Sequence, residues 1–446
     1  MTTDDKERDF GDFSSLPYGG LMVPELFNNT GNAGDGYPGL QAAIRNWTKY
    51  WLSGGTIDHD VDLNSNDITG AQTISSVSGN YDYLEAVSGN YDYLEATKID
   101  TTYYCSTRAE IVSAISDIGA GFGKIILNSG TIDITSVVTI NIQGSIIIEG
   151  FGDLTVINCL QDDSLAAAFS INGAESFVMR NLKFDCTNFT DNWSPVYVPG
   201  ENDSGILIDN ITVEGGGSIG VGVYFIGDNV IVSNSKFENL YIGICGLQVI
   251  SVYPSYFKII GNNCLNNTKG IVINGRNGMV STNSTASNTY GIEILGGYCN
   301  TIVNNVCRSN QQGIRFAVNN GVYPQQNTVQ GNICRENTLY GIYLSDTFDN
   351  SICGNICNEN NENNASDGGG IYLGSNSDSN VINNNICRYN QNAGAGTGYG
   401  INISNSNCGD NTLIGNIALS NDTNYNDGGT STFDTDGGGQ GLNNIA

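Results

Sequence analysis

The heptapeptide GNICREN, residues 331–337, recurs with small changes along the second half of the chain. The other copies begin with GNNCLNN at 261, TNSTASN at 282, NNVCRSN at 304, GNICNEN at 354, NNICRYN at 384 and GNIALSN at 415. The fourth residues of the seven copies are Cys264, Thr285, Cys307, Cys334, Cys357, Cys387 and Ala418, at intervals of 21 to 31 residues. A motif repeated at such a period predicts a solenoid, in which each repeat packs only against its neighbours.

Two further landmarks recur in the same order within each repeat. One is Gly-Ile, with an apolar residue two positions later, at Gly270, Gly291, Gly313, Gly341, Gly370 and Gly400. The other is an Asn that precedes an apolar residue by two positions, at Asn300, Asn327, Asn350, Asn380 and Asn411. This order predicts short parallel strands in roughly a dozen coils, stacked about 4.8 Å apart. We expect Cys above Cys inside the solenoid and Asn above Asn at its bends, where stacked amides can pair along the axis.

The residues that precede these repeats have the order of elements expected at the start of a solenoid. A short amphipathic helix is predicted in TRAEIVSAISDIG (107–119), followed by the apolar stretches KIILNSGTIDI (124–134) and SIIIEGFGDLTVI (145–157). The apolar face of the helix consists of Ile111, Ala114, Ile115 and Ile118. This order resembles the opening of pectin-lyase-like right-handed parallel β-helices, including viral tailspikes. The resemblance covers residues 101–425 and implies an all-β fold whose first coil is capped by the helix.

The first hundred residues follow a different pattern. Residues 1–60 hold a Gly-, Asn- and acid-rich arm and GLQAAIRNWTKYWL, whose apolar residues lie on one predicted helical face. Residues 61–100 contain VSGNYDYLEA twice without change, at 77–86 and 87–96. Alternating tyrosines favour strands in these copies, and a helix interrupted by Gly is the alternative. The preceding DLNSNDITGAQTI resembles the stems of phage and archaeal-virus tail fibres, which implies a fibrous trimeric stem that can be lengthened one layer at a time.

Together the two resemblances imply a viral tail fibre or tailspike with four parts. These are a virion-attachment arm (1–60), a stem (61–100), a β-helix (101–425) and a Gly/Asp-rich tail (426–446). Such a protein would be a homotrimer, assembled in the host cytoplasm and joined through residues 1–60 to other tail or baseplate proteins. It would bind a host-surface glycan or glycoprotein. The alternatives are a tailspike depolymerase, acting on polysaccharide as a hydrolase or lyase, and a cellular surface β-helix protein, because this fold supports many functions.

Composition restricts the partners and the compartment. The 446 residues include 45 acidic and 17 basic ones, and a net charge of −28 argues against binding nucleic acid or an anionic membrane. An acidic surface suits a halophilic protein and equally suits an ordinary extracellular one. The N-terminal MTTDDKERDF is charged, and no apolar stretch is long enough to span a bilayer. We therefore expect folding in a cytosol, with reduced thiols and without membrane insertion.

The cysteine and histidine content argues against a resident metal or cofactor. Thr285 and Ala418 replace Cys in the repeat, so the position needs a small side chain rather than a disulfide, and we expect buried thiols. His59 is the only histidine, which leaves the β-helix without a His-dependent triad or a multi-His metal site. Calcium is suggested only by DTDGGG at 434–439, which lacks a distal acidic ligand.

Long turns carry the candidates for acid–base chemistry on polysaccharide. They are Asp346, Asp349, Asp367 and Asp378, which lie among Gly, Ser and Asn. We favour solvated turn residues as their interpretation. Arg308, Arg335 and Arg388 share one register, which Asn358 interrupts, but the sequence fixes no acidic cluster on the same face.

Tyrosines recur near the Gly-Ile landmark, at Tyr290, Tyr340, Tyr343, Tyr372 and Tyr399. Such rings can stack on sugars along a groove or pack between subunits of a trimer, and we favour subunit packing for the set as a whole. The long turns at 360–370 and 391–400 widen two successive coils on one side, which predicts a wall or groove. Where that groove binds a ligand, Tyr343, Asp367, Tyr372 and Tyr399 are the predicted contacts.

Overall fold

The computed structural model describes residues 101–430, except 161–166, 189–193, 200–204, 218–219, 248–252, 362–366, 393 and 395. The predicted attachment arm, its helix, the stem and His59 lie outside the described residues, as does the DTDGGG segment.

Parallel strands form two sheets. The larger sheet has 22 strands, which are β1 (Thr101–Cys105), β2 (Phe122–Leu127), β3 (Gly130–Ile134), β5 (Ser145–Cys159), β7 (Ser176–Cys186), β9 (Ile206–Gly215), β11 (Val230–Ser233), β12 (Lys236–Glu238), β14 (Lys258–Ile260), β15 (Asn263–Leu265), β17 (Met279–Ser281), β18 (Ser284–Ala286), β20 (Thr301–Val303), β21 (Val306–Arg308), β23 (Thr328–Gln330), β24 (Ile333–Arg335), β26 (Ser351–Cys353), β27 (Ile356–Asn358), β29 (Val381–Asn383), β30 (Ile386–Arg388), β32 (Thr412–Ile414) and β33 (Ile417–Leu419). The smaller sheet has 12 strands, which are β4 (Val138–Ile140), β6 (Ala167–Ile171), β8 (Ser194–Val198), β10 (Val221–Phe225), β13 (Ile242–Gly246), β16 (Lys269–Ile273), β19 (Tyr290–Leu295), β22 (Gln312–Ala317), β25 (Tyr340–Ser345), β28 (Gly368–Gly374), β31 (Gly398–Ile403) and β34 (Thr423–Asp427).

Helix α1 (Arg108–Ile118) begins in a capping box. Thr107 Oγ1 accepts a hydrogen bond from the Glu110 N–H, and the Glu110 carboxylate accepts one from the Thr107 N–H. The helix ends at Gly119 and packs against β1 to β4. Its four predicted apolar residues are buried, so the predicted helix at the first coil is confirmed.

Each strand pairs in parallel with the equivalent strand one coil later, and this confirms the predicted parallel β-helix. From β11 onward, every coil contributes two short strands to the larger sheet and one to the smaller. The predicted cysteine row is also confirmed, since Cys307 pairs in register with Cys334, Cys334 with Cys357, and Cys357 with Cys387. All twelve cysteines are free, and ten of them are buried. Burial raises the pKa of the thiols of Cys264 and Cys357 well above the ordinary value.

The bends are built from a residue with positive φ followed by a buried asparagine. At one bend, Gly331 has φ 65° and precedes Asn332. The N–H and Nδ2 of Asn332 donate to Asn355 Oδ1 at 2.9 and 3.0 Å, and Nδ2 also donates to the Ile302 carbonyl at 2.9 Å. The same pattern recurs at three bends of the coil, so the predicted stacking of asparagines is confirmed. The ladders satisfy backbone groups that the short strands leave unpaired.

Candidate ligand-binding site

The smaller sheet presents one outward side chain per coil along its middle, here called the outer row. In register, its members are Thr139, Ser170, Tyr197, Tyr224, Cys245, Val272, Glu293, Arg315, Tyr343, Tyr372, Asn402 and Asn426. Their chain neighbours, such as Ile342 and Leu344, point into the core and are fully buried. The outer row therefore changes in chemical character from coil to coil, at steps of about 4.8 Å.

Three tyrosines meet near the C-terminal end of this row and are here called the tyrosine cluster: Tyr340, Tyr343 and Tyr372. The rings of Tyr343 and Tyr372 are stacked, with centroids 5.5 Å apart and an interplanar angle of 14°. The Tyr340 ring lies 5.0 and 4.7 Å from them, and its hydroxyl donates to the Asp367 carbonyl at 3.0 Å. Burial raises the pKa of Tyr340 well above its ordinary value. Tyr340 therefore holds the cluster in place. Its partner in register is Gly369, where a Cβ would clash with the Tyr399 carbonyl oxygen.

The other two rings keep unused hydrogen-bonding capacity. The hydroxyls of Tyr343 and Tyr372 have no hydrogen-bond partner among the described residues, and both side chains are partly exposed. Tyr399 lies one coil beyond, in register with Gly369. The exposed Asp367 accepts a hydrogen bond from the Thr397 N–H through Oδ1, at 2.8 Å. The structure thus brings the four predicted ligand contacts to the same part of the smaller sheet, where the two long turns adjoin.

A charged cluster occupies the middle of the outer row. Glu293 is almost fully buried, and its carboxylate pairs with Lys269 Nζ at 2.7 Å and Arg315 Nη1 at 3.1 Å. The Arg315 guanidinium lies over the Tyr290 ring, 4.2 Å from its centroid. Two cations thus face one carboxylate, leaving a local net charge of +1 in a strongly acidic chain. Sequence reasoning missed this cluster, although an acidic residue inside the apolar stretch GIEI (291–294) was a signal for it.

A shallow polar groove of about 570 Å³ follows the bend beside this cluster over four coils. Thr268, Thr289 and Gln311 line it, together with ladder asparagines and neighbouring serines. Thr268 and Thr289 immediately precede Lys269 and Tyr290. Hydroxyl and amide groups therefore line the bend next to the charged cluster. Such groups can form hydrogen bonds with the hydroxyls of a sugar.

The predicted carboxylate candidates lie in two separate places. Asp367 precedes β28, whereas Asp346 follows the neighbouring strand β25 and its N–H donates to the Ser375 carbonyl. About eight residues of extended strand, roughly 25 Å, therefore separate Asp346 from Asp367. Paired carboxylates of glycosidases lie at most about 9.5 Å apart. Asp349 and Asp378 lie on the Asp346 side, where the Asp349 N–H donates to the Asp378 carbonyl at 3.4 Å.

The carboxylates of Asp346 and Asp378 stabilise turns by accepting hydrogen bonds. Asp346 accepts hydrogen bonds from Asn376 Nδ2 and Ser345 Oγ, both at 2.9 Å. Asp378 accepts one from the Gly409 N–H. Their surroundings agree with the favoured interpretation of turn residues.

Across the described residues, no group of three or more His, Cys, Asp and Glu side chains could hold a metal ion. The part of the chain that the structure describes also has no helix long and apolar enough to cross a membrane.

Two family models match parts of the chain. One, described as "Right handed beta helix region", matches residues 144–306, and the other, described as "Periplasmic copper-binding protein (NosD)", matches residues 246–438. A search of curated proteins gave no match.

Solved structures of similar fold include enzymes and a viral protein. The A-modules of the mannuronan C-5 epimerases AlgE6 and AlgE4 of Azotobacter vinelandii are 17% and 16% identical to this chain, with TM-scores of 0.57 and 0.55. The alignments cover 73% and 71% of this chain and 93% and 95% of theirs. The Dettilon tailspike protein (gp208) is 16% identical, with a TM-score of 0.50, over 70% of this chain and 68% of that one. At such identities the likeness shows the fold alone, a right-handed parallel β-helix.

Proposed function

We propose that this protein is a viral tail fibre or tailspike that binds a host-surface glycan through the part of the outer row from Glu293 to Tyr372. The stacked pair Tyr343 and Tyr372, partly exposed and with hydroxyls that have no partner among the described residues, is the observation that carries the proposal. The fold likeness to the Dettilon tailspike and the stem-like sequence of residues 61–100 support it. In this proposal the chain is a homotrimer that joins the virion through residues 1–60.

The chemistry of the outer row suits an extended, partly acidic glycan. Aromatic side chains with a polar edge combine apolar contact with hydrogen bonding. The Tyr343 and Tyr372 rings stack on each other, so their edges and hydroxyls, rather than their shared faces, are available to a ligand. Glu293 lies two coils from Tyr343 and three from Tyr372, at about 4.8 Å per coil. It is paired with Lys269 and Arg315, whose excess positive charge suits a carboxylate or sulfate group.

A second candidate function is a polysaccharide-modifying enzyme, and the charged cluster is the observation that favours it. Lys269 and Arg315 could neutralise a uronate carboxylate, and Tyr290 or Glu293 could then move a proton. The fold is shared with mannuronan C-5 epimerases, which act on a uronate polymer by their name. This candidate predicts a changed polymer, whereas an adhesin leaves the glycan intact.

Substitution of the two free hydroxyls tests the proposal. We expect Tyr343→Phe with Tyr372→Phe to weaken binding to purified host-surface polysaccharide about tenfold, since each lost hydrogen bond is worth about 0.5–1.5 kcal/mol. The matched control is Tyr197→Phe with Tyr224→Phe, a second stacked pair on the same row with centroids 5.2 Å apart. Binding that is unchanged, or equally weakened in the control, would place the site elsewhere.

Incubation of the polysaccharide with wild-type protein and analysis for new reducing ends, unsaturated sugars or epimerised units tests the enzyme candidate.

A further inference from the structure

The outer face of the larger sheet carries an unbroken aliphatic row over its last five coils. Val306, Ile333, Ile356, Ile386 and Ile417 are paired in register. They alternate with the buried cysteine row and therefore point outward, and Ile333 is 37% exposed. The other four are partly buried, and a continuous row of partly accessible aliphatic residues of this length indicates a contact surface. The β-helix core does not require aliphatic residues at these positions, because their side chains point away from it.

The same face is unusual in its charge. The ten strands from β20 to β33 in the larger sheet contain no Asp or Glu, although the whole chain has a net charge of −28. They carry Arg308, Arg335 and Arg388, and the predicted shared register of these arginines, with Asn358 between them, is confirmed. Two copies of such an acidic chain repel each other over most of their surface. On the strands of this face that repulsion is reduced.

Earlier coils of the larger sheet show that these properties are local. In the register that later holds the arginines, the first coils carry Asp133, Asp185, Glu214 and Glu238. Lys183 and Lys236 pair with Glu214 and Glu238 there, which gives an ordinary charged surface. The aliphatic row is therefore confined to the last five coils, since its register holds Asn263 and Ser284 in earlier ones. The outer face of β20–β33, which carries this row and no acidic residue, is here called the aliphatic face.

We infer that the aliphatic face is where the β-helices of three copies of this chain contact one another. Rotational symmetry places the same residue of every copy at the same height, so a row of nearly identical aliphatic residues matches itself at each coil. Beside the row, on the side opposite to the arginines, lie Val303, Gln330, Cys353, Asn383 and Ile414, which are uncharged. A threefold arrangement would thus bring the arginines of one copy against uncharged residues of the next. The inference takes only the threefold symmetry from the proposed function.

A second copy suits this face better than a glycan does. The aliphatic row itself has neither aromatic rings nor hydroxyls to contact sugars, and the tyrosine cluster lies on the other sheet. Glycan binding and self-association would then use different faces of the same coils, so a trimer would leave the outer row of the smaller sheet open.

Cross-linking of the full-length protein tests the contact. In a background of Cys299→Ser and Cys353→Ser, which leaves only the ten buried cysteines, Ile356→Cys should be joined between chains by a short bis-maleimide. The expected product is a covalent dimer on a denaturing gel. The matched control is Ser170→Cys, outward on the smaller sheet, which should stay monomeric. Adding Ile333→Lys and Ile386→Lys on either side of Cys at 356 should abolish the dimer while circular dichroism shows an intact β-sheet.

Two results would overturn the inference. One is a thiol at 356 that reacts with a monofunctional maleimide but gives no covalent dimer. The other is a dimer that persists in the presence of the flanking lysines. Polysaccharide binding is measured on the same variants, so that absence of cross-linking in Ile356→Cys without the lysines, with binding retained, counts against the interface alone. Loss of binding in the tyrosine variants with cross-linking retained counts against the proposed site alone.

Discussion

The two outer faces of the last coils contrast sharply, although they belong to the same repeats. On the larger sheet, one register holds Val306 and then four isoleucines. On the smaller sheet, successive positions of the outer row hold Glu, Arg, Tyr, Tyr and Asn. The core and the bends restrict only inward and bend residues, so outward positions are free to vary. A uniform outward row therefore needs another reason, such as a symmetric contact, and a varied row can carry a specific site.

Both outer faces rest on the same core and the same bends. The largest expected effect concerns the asparagine ladders at those bends. Asn332→Ala removes the acceptor of the Asn305 N–H and a donor to the Ile302 carbonyl, both inside the ladder. Two or three unsatisfied buried groups should lower the free energy of unfolding by about 3–6 kcal/mol. Urea unfolding followed by circular dichroism measures it.

The matched control for this change is the exposed Asn304, which has φ 57° and no ladder bond. Asn304→Gly should cost less than about 1 kcal/mol, because glycine adopts positive φ readily. Equal losses in the two variants would show that the backbone turn, and not the amide ladder, holds the bends.

The next largest effect distinguishes the charged groups of the two faces. Lys269→Ala with Arg315→Ala leaves the buried Glu293 carboxylate without a cation, which should cost about 3–5 kcal/mol. Adding Glu293→Gln should restore most of that loss. On the larger sheet, the exposed Arg308→Ala should cost about 0.5 kcal/mol or less. A double variant as stable as wild type would mean that Glu293 is solvated, contrary to its burial.

Inward and bend positions were predictable from the sequence, and contacts across the outer faces were not. The cysteine row and the asparagine ladders follow from residues that the fold forces to repeat, and α1 follows from its apolar spacing. Glu293 lies 24 residues from Lys269 and 22 from Arg315. Such separations indicate side-chain contact only when the register between successive coils is known. The coils vary from 21 to 31 residues, so register cannot be counted from the chain. For the same reason the sequence could not show that Asp367 and Asp346 lie at opposite ends of neighbouring strands.

A smaller effect, which depends on pH, probes the core shared by both faces. Burial raises the pKa of the Cys357 thiol, so the unfolded chain ionises first, near pH 8.5. Stability from this thiol is complete below that pH and falls above it by about 1.4 kcal/mol per pH unit. Cys357→Thr, which introduces the residue already buried at Thr285, should make the fall between pH 8.5 and 10 shallower, and Thr285→Cys should make it steeper. Urea unfolding across this range checks both, and identical slopes in the three proteins would exclude the thiols as the cause.

The smallest expected effect concerns the turn aspartates between the two faces. Asp346→Asn and Asp378→Asn keep an oxygen that can accept the hydrogen bonds from Asn376 and Gly409, so stability should change by less than about 1 kcal/mol. Asp367→Asn likewise keeps the acceptor for the Thr397 N–H. Since Asp346 and Asp367 are too far apart to act as a glycosidase pair, we expect none of the three variants to release product. Asp346→Asn and Asp378→Asn, which lie away from the predicted ligand contacts, should bind polysaccharide as wild type does. Product release by the wild type that Asp346→Asn or Asp367→Asn abolishes would overturn the adhesin proposal. It would also place the catalytic site at the turn aspartates rather than at the charged cluster of the outer row.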